Sequence, residues 1–135
     1  MEKESVSETE IRMMENYLKA YCLNRCLLRL ERYEREYFGR QETEEDLPGE
    51  APLARARMFE IRHFITDMSN STEKLFLYYR YIRGETVERC GELLNISRAS
   101  AYRLKKRAIV AAVRHAKRNG HGLFAEQEQG EGEST

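Results

Sequence analysis

Apolar residues recur every three or four positions along the first third of the chain, which is the period of an amphipathic α-helix. Neither glycine nor proline interrupts residues 7–38, so the pattern predicts one helix, roughly 45 Å long at about 1.5 Å per residue. Extra leucines widen the stripe in its second half, so the helix is expected to bury more than one side, against its own chain or against a second copy. The stripe consists of Ile11, Met14, Leu18, Cys22, Cys26, Leu30, Tyr33 and Tyr37, widened by Leu23, Leu27 and Leu28.

The helical period is then interrupted and resumes. Residues 39–52 hold two glycines, two prolines and a run of acids, which predicts a mobile acidic connector. A second helix is expected from residue 53 to the Ser69–Asn70–Ser71 cluster. Its core face is predicted to be formed by Leu53, Met58, Ile61, Phe64, Ile65 and Met68.

An aromatic helix is predicted next, capped at its start by Ser71 or Asn70 and closed by Gly84. Its tyrosines could stack on nucleobases, but we favour positions for them in the core and at a groove edge. Its apolar side chains are Leu75, Phe76, Tyr78, Tyr79, Tyr81 and Ile82. They are expected to pack against the apolar positions that follow, namely Leu93, Leu94 and Ile96.

Residues 86–106 have the spacing of a helix-turn-helix, in which a short helix and a tight turn present a second helix to the major groove of DNA. Gly91 falls where the two helices would cross most closely, and Asn95 falls in the turn, where it tolerates a positive φ. Ser97 is placed to cap the second helix. Five apolar or small residues are expected to lie between the helices: Cys90, Leu94, Ile96, Ala101 and Leu104.

The charge of the chain is zero overall but unevenly distributed. Residues 1–71 carry 11 basic and 15 acidic side chains, residues 72–118 carry 12 and 4, and residues 119–135 carry no basic and 4 acidic ones. The second helix of the helix-turn-helix is expected to continue to about Asn119, because its apolar stripe does. It has no acid between residues 97 and 118. Such a helix is expected to bind a polyanion, with a solvated basic face as the alternative. Its cations are Arg98, Arg103, Lys105, Lys106, Arg107, Arg114, Lys117 and Arg118.

Composition narrows the class of protein. With 135 residues, 34% charged and 41% hydrophobic, the chain is expected to be soluble and all-α with a thin core. It shows no secretory signal and no bilayer-spanning run, so a cytoplasmic protein without membrane contact is expected. Cys22 and Cys26 share a helix face without further ligands at metal spacing, so core packing is expected instead. No paired carboxylates, activated nucleophile or phosphate loop is apparent, so neither an enzyme nor a cofactor is expected.

A family resemblance lies in residues 61–110 and rests on the YYRYIRG segment, Thr86 at the helix start, LLNIS at the turn and SRASAYRLKKRA on the second helix. These residues resemble region 4 of sigma-70-type factors and, more closely, phage-encoded late transcription regulators of the ArpU/RinA type. The resemblance implies a sequence-specific DNA-binding regulator of phage or mobile-element genes. It does not extend to a complete sigma factor, because the chain has no Trp and is too short for a second DNA-reading domain.

The helix-turn-helix frame also assigns roles to individual side chains. The exposed start of the second helix is expected to read base edges through Arg98, Ala99, Tyr102, Arg103 and Lys106. Phosphate contacts are expected from Thr86, Arg89, Ser97, Ser100, Lys105 and Arg107.

Four segments are thus predicted: a helical arm at 1–38, the connector at 39–52, a DNA-binding domain at 53–119 and a disordered acidic tail at 120–135. The arm is a candidate for dimerisation. Leu123 and Phe124, in the tail, are expected to belong to a frayed end. The expected partners are double-stranded DNA, RNA polymerase and a second copy of the chain. Two other functions stay open: a small-terminase-like recognition subunit for phage DNA packaging, and a helical module whose basic helix binds an acidic protein.

Overall fold

A computed structural model describes residues 5–37 and 50–124 of the chain. No strand occurs within these ranges, which confirms the all-α prediction. The helices are α1 (Glu8–Tyr37), α2 (Glu50–Thr66), α3 (Thr72–Leu77), α4 (Val87–Leu93) and α5 (Arg98–Arg118). Helix α3 runs directly into a π-helical turn, Tyr78–Ile82, and α5 is followed by a short 3-10 turn, Gly122–Phe124.

Helix α1 begins at a reciprocal cap. The Ser7 hydroxyl oxygen accepts a hydrogen bond from the Glu10 N–H at 3.1 Å, and the Ser7 N–H donates to the Glu10 carboxylate at 2.9 Å. Two of the N–H groups at the helix start are satisfied in this way. The helix then runs for 30 residues, in agreement with the long helix predicted over 7–38, whose last residue lies outside the described ranges.

The start of α2 corrects the predicted connector. Residues 38–49 lie outside the described ranges, but the helix already begins at Glu50, three residues before the expected start. Pro52 therefore stands in the first helical turn, where its missing N–H removes no intrahelical hydrogen bond. Leu53, expected in the core, is more than half exposed, while Ala54 takes the buried position.

Only the first half of the α1 stripe is buried in the chain's own core. Met14 and Leu18 are fully buried, whereas Cys22 and Cys26 are exposed, so the prediction that the two cysteines pack in the core is wrong. A step of four residues advances about 400° around a helix, so a row of four-residue steps drifts by about 40° each time. The row consequently turns away from the core, and its place is taken by Tyr21 and Asn24.

One hydrophobic core joins α1, α2, α3 and α5, so the first half of α1 packs with the C-terminal helices. Its largest buried side chains include Met14, Leu18, Ile61, Ile65, Phe76, Leu77, Leu104, Val113 and Phe124. The burial of Phe124, only 2% exposed, contradicts the expectation of a frayed end at this position. The Gly122–Phe124 turn carries its ring back to the core, against α1 and α5.

The aromatic segment packs mainly on α5 and far less on α4. Leu93, expected to cover its rings, is 40% exposed, so that part of the prediction is wrong. The Ser71 cap is confirmed, because its side chain accepts a hydrogen bond from the Lys74 N–H at 3.2 Å. Gly84 closes the segment at φ +75°. Arg25 of α1 braces this end by donating to the Ile82 carbonyl oxygen at 3.0 Å.

Among the residues that the structure describes, no helix combines the length and the apolar character needed to cross a lipid bilayer.

Candidate nucleic-acid interface

Helices α4 and α5 are joined by a four-residue turn whose geometry is fixed by local hydrogen bonds. Thr86 caps α4, its hydroxyl oxygen accepting from the Arg89 N–H at 3.1 Å. Asn95 adopts φ +60°, the one positive φ of a non-glycine residue in the described part of the chain, as its position in the turn predicts. The Ile96 N–H then donates to the Gly91 carbonyl oxygen at 2.9 Å, which folds the chain back against α4.

The two helices are in close contact at Gly91. A Cβ atom at this position would lie 3.0 Å from the Cβ of Ala101 and 3.4 Å from the Ile96 carbonyl oxygen. The absence of a side chain is what allows the backbones to come this near. Of the residues predicted to lie between the helices, Cys90, Ala101 and Leu104 are fully buried and Leu94 and Ile96 are partly buried.

Ser97 caps α5, as expected, by accepting from the Ser100 N–H at 3.1 Å. From this cap the helix runs 21 residues and keeps one continuous buried face to its far end. Because that face is anchored along its whole length, the orientation of the opposite face is fixed. The buried residues are Ala101, Leu104, Ala108, Ile109, Ala112, Val113 and Ala116.

The side chains predicted to read bases lie together on the outer face of the first turns of α5. All five are exposed: Arg98, Ala99, Tyr102, Arg103 and Lys106. Those predicted to bind phosphate surround them, with Thr86, Arg89, Ser97 and Arg107 exposed and Ser100 and Lys105 partly buried. We call the two sets together the basic face.

Two carboxylates of α4 reach the basic face, and sequence reasoning missed both. Glu88 accepts a hydrogen bond from the Tyr102 hydroxyl and lies 3.5 Å from the Arg98 guanidinium. Glu92 pairs with Arg89 at 2.8 Å. The hydrogen bond between Tyr102 and Glu88 lowers the pKa of the Glu88 carboxyl and raises the pKa of the Tyr102 hydroxyl. The available signal was the presence of two acids on the short helix that faces an acid-free one.

No protein-family model, curated protein or solved structure matches this chain. The described residues also contain no group of three or more histidine, cysteine, aspartate or glutamate side chains placed to hold a metal ion.

The far end of α5 uses its polar side chains for packing. Lys117 forms an ion pair with Glu10 of α1. Burial raises the pKa of Glu10, but the hydrogen bond and charge of Lys117, together with the Ser7 cap, outweigh it and leave that pKa below its ordinary value. Lys117 is therefore a link between α1 and α5, and the eight cations of the basic helix do not form one continuous binding surface.

His115 lies beside Lys117 on the inner side of this end. Its ring contacts Phe64 edge-on at 5.1 Å between centroids, and its Nε2 lies 3.5 Å from the Asp67 carboxylate. Burial lowers the pKa of His115 below its ordinary value of 6.5, with Asp67 acting in the opposite sense and Arg118 and His121 adding to the decrease.

Proposed function

We propose that this protein is a sequence-specific regulator of transcription that binds double-stranded DNA, with α4 and α5 as a helix-turn-helix similar to that of sigma region 4. The observation that carries the proposal is the division of α5 into two faces. One face is buried along the whole helix, and the opposite face presents Arg98, Tyr102, Arg103 and Lys106 to solvent near its capped start.

The dimensions of the exposed stretch suit the major groove. A helix with its side chains is about 10–12 Å across and the major groove of B-form DNA is about 12 Å wide, so residues 98–107, about 15 Å of helix, can lie in the groove. Arg98 and Arg103 are the candidates for bidentate contacts to guanine, and Ala99 for contact with a thymine methyl group. Arg89 and Arg107 would bind phosphates on either side and fix the register of the helix.

A second copy of the chain is the proposed partner of the second half of α1. Leu23, Leu27 and Leu30 are each more than half exposed on α1 and follow one another at spacings of four and three residues. That spacing is the seam of a two-stranded coiled coil, in which the same stripe from each chain covers the other. A dimer formed in this way would place two α5 helices on two half-sites of a symmetric operator.

The setting of this activity follows from the family resemblance. The regulator would act at promoters of a phage or mobile element, with RNA polymerase as a further partner. The packaging subunit is the alternative favoured by the same exposed leucines, since it also combines a DNA-binding helix with an oligomerising one. A ring of many copies in solution would decide for packaging, and a dimer decides for the regulator.

The test is a titration of fluorescent duplex DNA at several salt concentrations, with a selection of bound oligonucleotides from a random pool. Each phosphate neutralised contributes about −0.9 to the slope of log K against log salt, so a slope several times that value is expected. A repeated half-site in the selected pool would also give the operator spacing. Binding that ignores salt, or a pool that never converges on a sequence, would exclude the proposed function.

A further inference from the structure

A negatively charged side chain contacts two members of the basic face. Glu88 belongs to α4, but its carboxylate contacts two side chains of α5, Arg98 and Tyr102, which stand ten and fourteen residues further along the chain. It is 40% exposed, so it faces the same solvent that DNA would occupy. A carboxylate at this position opposes phosphate binding, because like charges repel at short range.

Glu88 also restricts the side chains that it holds. Tyr102 is 45% exposed and Arg98 more so, and long exposed side chains ordinarily sample several rotamers. Two polar contacts to one carboxylate select one arrangement of both before DNA arrives. Pre-organisation of this kind lowers the entropy lost on binding, and it benefits only a partner that fits the selected arrangement.

We propose that Glu88 is a positioning residue that sets the sequence selectivity of the basic face, by holding Arg98 and Tyr102 for base reading and by disfavouring contact with phosphate alone. This inference rests on the proposed function. On random DNA, Arg98 can contact a phosphate only if it breaks its ion pair with Glu88, so Glu88 weakens the binding of random DNA. At the specific site, Arg98 contacts a base edge from the arrangement that Glu88 supports, so binding is retained.

The size of the effect follows from counterion release. Replacing Glu88 by glutamine keeps the shape and removes the charge, which frees Arg98 for one additional phosphate contact. One such contact changes the salt slope by about 0.9, and at about 0.1 M salt it strengthens binding by up to about eightfold. The gain is expected on random DNA, while affinity for the specific site changes little or falls.

The experiment compares wild type, Glu88→Gln, Tyr102→Phe and Glu92→Gln on two duplexes: the oligonucleotide most enriched in the selection, and a scrambled duplex of the same length and composition. Glu92→Gln is the matched control, since it removes the same charge from the same helix but loosens only Arg89. Glu88→Gln should lower the ratio of specific to scrambled affinity at least about threefold and steepen the salt slope on scrambled DNA. Glu92→Gln should strengthen both affinities equally and leave the ratio unchanged.

Tyr102→Phe keeps the ring and removes the hydroxyl that Glu88 accepts from. It should lower the ratio as well, and combining it with Glu88→Gln should lower it by less than the product of the two separate changes, because both remove the same arrangement. The role of Glu88 is overturned if Glu88→Gln leaves the ratio of specific to scrambled affinity unchanged, or if Glu92→Gln lowers that ratio as much as Glu88→Gln does. Either result leaves the DNA-binding function in place. Wild-type protein that binds neither duplex overturns both.

Discussion

The close approach of α4 and α5 at Gly91 makes a quantitative prediction for Gly91→Ala. An alanine in a helix interior is normally more favourable than a glycine by about 1 kcal/mol. At this position the added methyl group would lie 3.0 Å from the Ala101 methyl and 3.4 Å from the Ile96 carbonyl oxygen. The first distance is shorter than an ordinary van der Waals contact and the second is at the lower limit of one, so the two helices must separate or the new residue must be strained.

The net change is the difference between these two effects. Insertion of a methyl group into a well-packed interior typically costs about 1–3 kcal/mol. After subtraction of the gain in helix propensity, Gly91→Ala should destabilise the fold by up to about 2 kcal/mol. Gly91→Val places two further methyl groups in the same gap and should cost about 3 kcal/mol or more. For a chain of this length, each kcal/mol corresponds to roughly 3–5 °C in Tm.

Chemical denaturation followed by circular dichroism measures this change, and a pair of variants at Glu92 calibrates it. Glu92 is exposed on the same helix, so the difference between Glu92→Gly and Glu92→Ala gives the propensity gain alone. The double variant Gly91→Ala, Ala101→Gly removes the closest contact and should recover part of the loss, beyond the sum of the single changes. If Gly91→Ala instead gained the full amount seen at Glu92, the helices would not cross where the structure places them.

Three further predictions concern DNA, assembly and pH. Arg103→Ala should weaken specific DNA binding by about 1–3 kcal/mol and relax sequence preference, whereas Lys105→Ala should weaken binding to all sequences about equally, as measured by titration of specific and scrambled duplexes. Wild type is expected to be a dimer by light scattering, and Leu27→Glu should be a monomer, because it places a charge in the proposed seam. Acidification through the region of pH 6.5 and below should lower Tm, because the pKa of His115 is lower in the folded state and the unfolded chain then binds more protons. Asp67→Asn should enlarge that loss, and His115→Gln should remove the part that sets in near pH 6.5 while leaving the loss at lower pH, where Glu10 becomes protonated.

Each of these has a contrary result. Equal losses of specific and scrambled binding in both DNA variants would show that Arg103 does not read a base. A Leu27→Glu protein with the mass of the wild type would place the contact between copies elsewhere. A Tm that stays constant or rises on acidification through this range would mean that the His115 ring accepts its proton as easily in the folded chain as in the unfolded one.

The α4–α5 region could be predicted closely because its determinants are local. Asn95, in a turn that needs positive φ, and the cap at Ser97 each act within a few residues, and Gly91 meets Ala101 only ten residues further along the chain. The same holds for the Ser71 cap at the start of α3. Local hydrogen bonds of this kind depend little on which distant helix packs nearby.

The buried side of α1 could not be predicted in the same way. Its sequence contains two apolar rows, and the choice between them depends on where α2 and α5 lie. The core takes Tyr21 and Asn24 and leaves Cys22, Leu23 and Leu27 exposed. Hydrophobic periodicity identifies the helix but favours the row that is richer in leucine, whereas the core takes a row that includes the polar Asn24.

Two other features depend on contacts that sequence spacing alone does not reveal. The π-helical turn adds a residue to the aromatic segment, so that the Arg83 N–H donates to the Tyr78 carbonyl oxygen at 3.0 Å. Glu88 meets Tyr102 only because the turn brings α4 alongside α5. Its contact with the basic face therefore follows from the folded arrangement of the two helices.

The burial of Phe124 has a practical consequence for dissecting the protein. The composition of the chain invites truncation after Asn119, where the acidic stretch begins. Such a cut would remove an aromatic ring from the interior and leave a cavity, which lowers the free energy of unfolding by about 3–5 kcal/mol. That is a large part of the total free energy of unfolding of a typical domain, about 5–15 kcal/mol. A shortened version intended for binding studies should therefore retain residue 124. If a shorter version fails to bind DNA, unfolding is the first explanation to test.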